Sequence, residues 1–133
     1  MFNFFSIKIV NKIVNIIFMD HVTIDNLNSI KNEVELKNPN VKIVAVTKTF
    51  PIEKIKPLIN HGHLHFGENK MQEAVKKWTE IKKNNKNLKL HFIGKLQTNK
   101  VKFALPLFDY IHSLDNLKLA EKISTLQLKI NFK

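Results

Sequence analysis

The sequence has no cysteine and only three glycines among its 133 residues. The absence of cysteine excludes disulfide frameworks, thiolate metal sites and cysteine nucleophiles. With so few glycines there is no G-x-G-x-x-G dinucleotide loop and no P-loop, and the H-E-x-x-H and G-x-S-x-G motifs are also missing. The sequence therefore lacks the signatures of the commonest nucleotide-binding, metalloprotease and serine-hydrolase sites.

Arginine is absent as well, so all 22 basic residues are lysines, set against 11 acidic residues with a formal net charge of +11. A basic surface attracts nucleic acid because binding releases counterions from the phosphates. Arginine, however, supplies the planar fork that contacts phosphates and guanine edges. We therefore expect no specific nucleic-acid partner. The alternative function is a basic interaction protein that binds anionic nucleic acid or a membrane surface without a cofactor.

Long uncharged hydrophobic runs are missing too. The most apolar stretch, residues 1–19, is interrupted by Lys8 and Lys12, and so falls short of the roughly 18 uncharged residues of a spanning helix. It has neither the basic start nor the cleavage site of a signal peptide. We interpret it as an apolar amphipathic extension upstream of a natural start at Met19, followed by one domain at 20–133. We expect no transmembrane segment and a cytoplasmic location.

The rest of the chain alternates between predicted strands and helices. Strands are predicted at residues 41–46, 63–66, 88–93 and 110–113. Five helices are predicted between and around them. The first is capped by Thr23 or Asp25, the second has Pro51 in its first turn, the third is capped by Asn69, and the last two span 99–105 and 116–123. This order predicts an α/β protein with a parallel sheet and crossover helices. Two architectures fit, an open doubly wound sheet or about four units of an incomplete (β/α)8 barrel.

Candidate functional residues lie at the carboxyl ends of these strands, where the sites of parallel α/β proteins collect. Lys48 follows the first strand and would share a face with Val44 and Val46, so that its stem runs along apolar neighbours. Desolvation favours the neutral amine, which can attack an aldehyde to form an imine. Two structural alternatives are a lysine that extends its ammonium into solvent and an ion pair with Glu68.

Asn69 follows the second strand, where its side chain either caps the next helix or offers an amide to a ligand. Three alternating histidines, His61, His63 and His65, would align on one strand face, and His91 lies on the next strand. Imidazole is a common zinc ligand. The pattern places no carboxylate beside these histidines, and we expect no metal site.

Four motifs occur in order along the chain. They are VAVTKT at 44–49, HFGENKMQEA at 65–74, HFIGKLQTNK at 91–100 and IHSLD at 111–115. In sequence and spacing they resemble the YggS/PROSC family of pyridoxal 5′-phosphate (PLP) homeostasis proteins, over about residues 25–123. The resemblance implies an alanine-racemase-type N-terminal barrel and therefore favours the incomplete (β/α)8 barrel.

The resemblance also implies roles for three residues. Lys48 matches the family lysine that holds PLP as a Schiff base, Asn69 matches the asparagine beside the cofactor, and His91 lies on a strand that lines the same barrel. It implies intracellular PLP homeostasis rather than turnover, because no paired acid and base of a racemase accompanies the lysine. PLP is the expected ligand, and PLP-dependent apo-enzymes are the expected recipients.

The length departs from that family. A (β/α)8 barrel typically needs about 250 residues, and the later strands that carry most of the family's phosphate-binding loop are absent. We therefore expect residues 20–133 to be the N-terminal half of a PLP-binding barrel domain, truncated and impaired in holding PLP. Its open sheet edges should promote self-association. Residues 125–133 alternate polar and apolar side chains, unlike the family's next strand.

Overall fold

A computed structural model of the chain describes residues 19–130. Its elements are α1 (Met19–Lys37), β1 (Ala45–Val46), a 3-10 turn (Ile52–Lys54), α2 (Lys56–Asn60), β2 (His65–Glu68), α3 (Met71–Asn84), β3 (Lys89–Phe92), a second 3-10 turn (Thr98–Lys100), α4 (Val101–Ala104), β4 (Tyr110–Ile111) and α5 (Leu117–Ile130). The four strands form one parallel sheet in the order β1-β2-β3-β4. The predicted α/β class is confirmed.

The predicted apolar extension lies, up to residue 18, outside the described residues. Within residues 19–130 no helix is both long enough and apolar enough to cross a membrane. The chain divides into two compact units, and the boundary falls between Phe66 and Gly67, inside β2.

The first unit builds its core on α1. Ile30 is buried on the inner face of this helix and packs against Val34, one turn further on, and against Ile43 and Phe50. The i, i+4 spacing of Ile30 and Val34 is the helical period that the sequence displays. The inner face of α1 therefore packs on the segments before and after β1.

The predicted helix cap at Thr23 or Asp25 is wrong, because both residues lie inside α1. Thr23 is buried and lies one turn before the buried Leu27, so it continues the inward-facing stripe instead of starting the helix. A hydroxyl or carboxylate side chain before an apolar stripe caps a helix only where the preceding residues are not helical, and α1 already begins at Met19.

The second unit contains the most completely buried side chains. Leu90 and Phe92 on β3 are almost fully buried, and α3 contributes Ala74 and Trp78, both with no exposed surface. Both faces of a parallel strand are covered, which is why the three consecutive residues from Leu90 to Phe92 are all buried. The core of this unit therefore lies on β3 and the inner face of α3.

The last helix begins where it was predicted and ends later. Asn116 caps α5, since its Oδ1 accepts a hydrogen bond from the Leu119 backbone N–H at 2.9 Å. The predicted end at Ile123 is wrong, because the helix continues to Ile130. Leu119, Ile123 and Leu126 fall four and three residues apart on its less exposed side. The strand-like alternation after residue 125 is thus part of a helical stripe.

β1, β3 and β4 are shorter than predicted, and β2 has the predicted length but is displaced along the chain. β1 keeps only the last two residues of the predicted 41–46, and β4 only the first two of 110–113. β2 begins two residues later than the predicted 63–66. An apolar segment indicates burial, whereas a strand requires hydrogen bonds to a neighbouring strand. The ends of the apolar segment and of the hydrogen-bonded strand therefore need not coincide.

Asp109 joins α3 to the sheet within the second unit. Its Oδ2 accepts a hydrogen bond from the Leu90 backbone N–H at 2.8 Å and another from the Lys82 ammonium. Lys82 also donates to the carbonyl of Leu107 at 2.9 Å, and Lys89 Nζ lies 3.5 Å from Asp109 Oδ1. Burial alone would raise the pKa of Asp109, but these hydrogen bonds and the two lysine charges outweigh it and lower the pKa.

We expect Asp109→Asn to lower the free energy of unfolding by about 1–2 kcal/mol near pH 7, because Lys82 loses its counter-charge. A carboxyl with a lowered folded pKa stabilises the protein above its unfolded pKa, and this contribution disappears as the pH falls through the folded pKa. Urea unfolding of wild type and variant should therefore converge in acid. Asp115→Asn is the control, since Asp115 pairs only loosely, at 4.0 Å, with the exposed Lys95. Equal losses in the two variants near neutral pH would contradict the prediction.

Candidate functional site

Lys48 lies in a tight turn directly after β1. The Phe50 backbone N–H donates to the Thr47 carbonyl at 3.2 Å and closes the turn, with Lys48 second and Thr49 third. Thr49 has a φ of +69°, the left-handed value that the third position of a type II turn requires and that a β-branched residue disfavours. Its hydroxyl donates to the Lys48 carbonyl at 2.6 Å. Such a conformation persists only where the surroundings hold it, so the turn fixes the backbone of Lys48.

The side chain of Lys48 is exposed. The predicted course of its stem along the apolar strand face is wrong, because β1 ends at Val46 and the turn interrupts the alternation that the prediction assumed. An exposed amine on a fixed turn is accessible to a ligand aldehyde. Because the side chain is exposed, the desolvation that was expected for Lys48 is not found.

Glu68 is fully buried at the end of β2 and connects this strand to α3. Its Oε1 accepts a hydrogen bond from Trp78 Nε1 at 2.9 Å and one from Lys77 Nζ at 2.8 Å. The side chain of Lys77 is only 10% exposed. A buried carboxylate is tolerated when it is paired and hydrogen-bonded, and Glu68 meets both conditions within the second unit.

Asn69 does not cap α3, which corrects the structural alternative for this residue. The helix begins at Met71 with Lys70 in the cap position, and no side chain makes a cap hydrogen bond there. Asn69 Oδ1 is instead buried without a hydrogen-bond partner among the described residues. An unsatisfied buried acceptor costs about 1–3 kcal/mol, so a ligand that brings a donor to this atom would be stabilised.

Gly94 lets the chain after β3 lie directly against Asn69. A Cβ at position 94 would lie 2.2 Å from the Asn69 carbonyl oxygen and 2.9 Å from its carbonyl carbon and Cα. The Ile93 N–H donates to the Glu68 carbonyl at 2.9 Å, and the Ser113 hydroxyl donates to the Gly94 carbonyl. The backbone of Asn69 is therefore enclosed by neighbouring backbone, and only glycine fits at position 94.

His91 is a buried residue of β3 with a partner that the sequence analysis missed. Its Nδ1 lies 2.9 Å from Nε2 of His112, so one of the two nitrogens donates a hydrogen bond to the other. The ring also stacks on Tyr110, with 4.5 Å between ring centroids and 13° between planes. The parallel register places His91 opposite Tyr110. The only sequence signal for this contact was that both histidines lie in the quoted motifs.

The three alternating histidines do not converge. His61 Nε2 is hydrogen-bonded to Asn28 Oδ1 at 3.2 Å, whereas His63 donates from Nε2 to the carbonyl of His65 at 2.8 Å. Burial lowers the pKa of His63, whose ring packs edge-on against Phe66, and the hydrogen bond to His65 only partly opposes this effect. Across residues 19–130 no three His, Cys, Asp or Glu side chains are grouped to hold a metal ion.

A cleft of 290 Å³ opens beside Asn69 at the N-terminus of α3. Its lining includes three lysines, Lys70, Lys95 and Lys100, the amide of Gln97 and one carboxylate, Glu73, which pairs with Lys70 at 2.9 Å, so that the net charge stays positive. Unpaired backbone N–H groups and the helix dipole favour anions at a helix N-terminus, and the lysines add positive charge. The cleft is therefore suited to a small anionic group.

The three residues predicted to hold a ligand follow or lie on successive strands. Lys48 follows β1 in the first unit, Asn69 follows β2 in the second unit, and His91 lies on β3. Within the second unit, β2 and β3 are joined beside Asn69 by the hydrogen bond from Ile93 to Glu68.

No family model matches the chain. Among curated proteins, it is 39% identical over 106 residues to the pyridoxal phosphate homeostasis protein of Haemophilus influenzae, which covers 74% of this chain and 45% of that protein. It is 41% identical over 93 residues to the protein of the same name from a Synechocystis species, covering 70% and 42%. The chain thus spans less than half the length of these relatives.

Solved structures give the same relationship. PipY of Synechococcus elongatus without PLP superposes with a TM-score of 0.67 at 35% identity, over 76% of this chain and 47% of PipY. The PipY structure with PLP bound gives a TM-score of 0.66 at 35% identity, over 75% and 47%. The shared fold agrees with the predicted incomplete (β/α)8 barrel. Over about three quarters of its own length the chain is therefore similar to pyridoxal phosphate homeostasis proteins, and it spans about half the length of these relatives.

Proposed function

We propose that this chain binds PLP, with Lys48 as the lysine that holds it as a Schiff base, and that it serves PLP homeostasis in the cytoplasm. The observation that carries the proposal is the buried Asn69 Oδ1, which has no partner among the described residues. A polar atom of this kind is stabilised by a ligand donor. PipY, which shares the fold over three quarters of this chain, has been solved with PLP bound.

The residues present fit such a ligand. PLP supplies an aldehyde, which is an electrophile for an amine. Lys48 offers an accessible amine on a turn whose backbone is fixed by the Thr49 hydroxyl. Asn69 offers an acceptor, His91 lies buried on the next strand, and the lysine-lined cleft beside Asn69 attracts an anion such as a phosphate.

We assign no catalysed reaction to the chain, because the sequence pattern places no second acid or base beside Lys48. Its proposed role is to hold PLP and to supply it to PLP-dependent apo-enzymes. Residues 20–133 form the proposed PLP-binding domain behind the extension at 1–19. In the part of the chain that the structure describes, β1 and β4 are the outer strands of the sheet, and their edges provide a surface for self-association.

The test is borohydride trapping of the full chain with stoichiometric PLP, followed by peptide mapping of all 22 lysines. We expect the label to concentrate on Lys48 and to disappear in Lys48→Ala without moving to another lysine. Lys83→Ala is the matched control, since the side chain of Lys83 is 64% exposed, does not line the cleft and should carry only background label.

Any exposed lysine forms a transient imine with PLP, so the result depends on how selectively the label falls on Lys48. Label distributed over the lysines according to exposure would contradict PLP binding at Lys48. If elution of the same preparation also changed strongly with salt and added nucleic acid, the excess of lysine would act as a polyanion-binding surface instead.

A further inference from the structure

We infer that Glu68 is a positioning residue for Asn69: its attachment to Trp78 and Lys77 fixes the backbone that carries the ligand-facing asparagine. The identity of the ligand as PLP rests on the proposed function. The positioning of Asn69 rests on the contacts of the second unit alone.

The first step is the attachment of the Glu68 side chain to a rigid element. Glu68 and Trp78 have no exposed surface, and the Trp78 indole N–H donates to the carboxylate at 2.9 Å. The ammonium of Lys77 donates to the same oxygen at 2.8 Å. Both donors lie in the middle of α3, which spans 14 residues. The carboxylate therefore joins the end of β2 to the body of a helix.

The second step concerns the main chain on either side of Asn69. The Glu68 carbonyl accepts the Ile93 N–H at 2.9 Å, and the Lys70 carbonyl accepts the Ala74 N–H at 3.0 Å in the first turn of α3. Asn69 is the single residue between these two fixed points. Gly94 packs against its carbonyl from the side. Movement of Glu68 would be passed directly to Asn69.

The third step is that the Asn69 side chain does not orient itself. Its Oδ1 is buried and makes no hydrogen bond within residues 19–130. The position of this oxygen is therefore set by the backbone that carries Asn69 and by the atoms packed around its side chain. Because a displacement of about 1 Å can cost about a hundredfold in a positioned interaction, the Glu68 attachment determines whether Asn69 meets a ligand donor.

The experiment compares Glu68→Ala with Glu68→Gln in the full chain. In the ligand-free protein, we expect Glu68→Ala to shift the Asn69 side-chain amide resonances. Glu68→Gln should keep them in place, because its Oε1 still accepts from Trp78. In PLP titrations, Glu68→Ala should weaken binding about tenfold, the equivalent of one hydrogen bond, and Glu68→Gln should restore most of it.

Two further variants separate positioning from stability. Trp78→Phe removes the indole donor and keeps a ring of similar shape, so it should shift the Asn69 resonances in the same direction if Glu68→Ala does not fold. Asp109→Asn destabilises the same unit through contacts to Leu90 and Lys82, away from Asn69. It should leave the Asn69 resonances and PLP binding unchanged.

Unshifted Asn69 resonances in both Glu68→Ala and Trp78→Phe would overturn the inference, as would equal shifts in Asp109→Asn. Failure of wild type to trap PLP on Lys48 would overturn the proposed function only. The resonances of the ligand-free protein would still decide whether Glu68 positions Asn69.

Discussion

Gly94→Ala is expected to lower the free energy of unfolding by about 3 kcal/mol, the upper range for overpacking. The new Cβ would lie 2.2 Å from the Asn69 carbonyl oxygen, and the clash is with backbone, so no side-chain rotation relieves it. Either β3 or the chain at Asn69 must shift, which should also displace the hydrogen bond from Ile93 to Glu68. Urea unfolding followed by circular dichroism measures the loss.

Gly62→Ala is the matched control for this substitution. Gly62 has a φ of +88°, and a Cβ there would meet no atom within 4 Å. Its cost is therefore conformational only, about 1 kcal/mol. Equal losses in the two variants would show that the close approach of Gly94 to Asn69 does not contribute.

Trp78→Ala should lower the free energy of unfolding by about 3–5 kcal/mol, the range for removing a fully buried aromatic side chain. Trp78→Phe should lower it by about 1–3 kcal/mol, because the ring volume is largely kept while the buried carboxylate of Glu68 loses a donor. The side chain has no exposed surface, and it makes the hydrogen bond to Glu68 at 2.9 Å. Trp78 is the single tryptophan, so its fluorescence follows unfolding of the wild type, and circular dichroism follows the variants.

The control for this pair is Phe103→Ala. Phe103 is 46% exposed, so its removal leaves little new cavity and should cost well under 1 kcal/mol. If Trp78→Phe were as mild as Phe103→Ala, the hydrogen bond to Glu68 would not stabilise the fold.

The order of elements was accessible from the sequence because hydrophobic periodicity reports burial. A strand was predicted at 88–93, which contains β3, and a helix was predicted after Asn69, which is found as α3. The ends of elements were less accessible. Thr23 has the chemistry of a helix cap and lies inside α1, because tertiary burial overrode the local preference.

The sequence predicted which strand each site residue follows, but it did not predict the contacts of their side chains. Lys48 and Asn69 were placed correctly after β1 and β2, but β1 ends at Val46 and Lys48 lies exposed in the turn that follows. The attachment of Glu68 to Trp78 and the approach of Gly94 to Asn69 join separate elements. Periodicity within one element carries no information about such pairs, and only the folded chain brings them together.

The contact between His91 and His112 sets a limit on charge at β3 and β4. With 2.9 Å between Nδ1 of one ring and Nε2 of the other, a single hydrogen atom occupies the space between them. If both rings were cationic, two N–H bonds would point at each other, and the contact would have to open. While the contact is closed, one of the two facing nitrogens therefore carries the hydrogen and the other accepts it, so the tautomer of one ring determines the tautomer of the other.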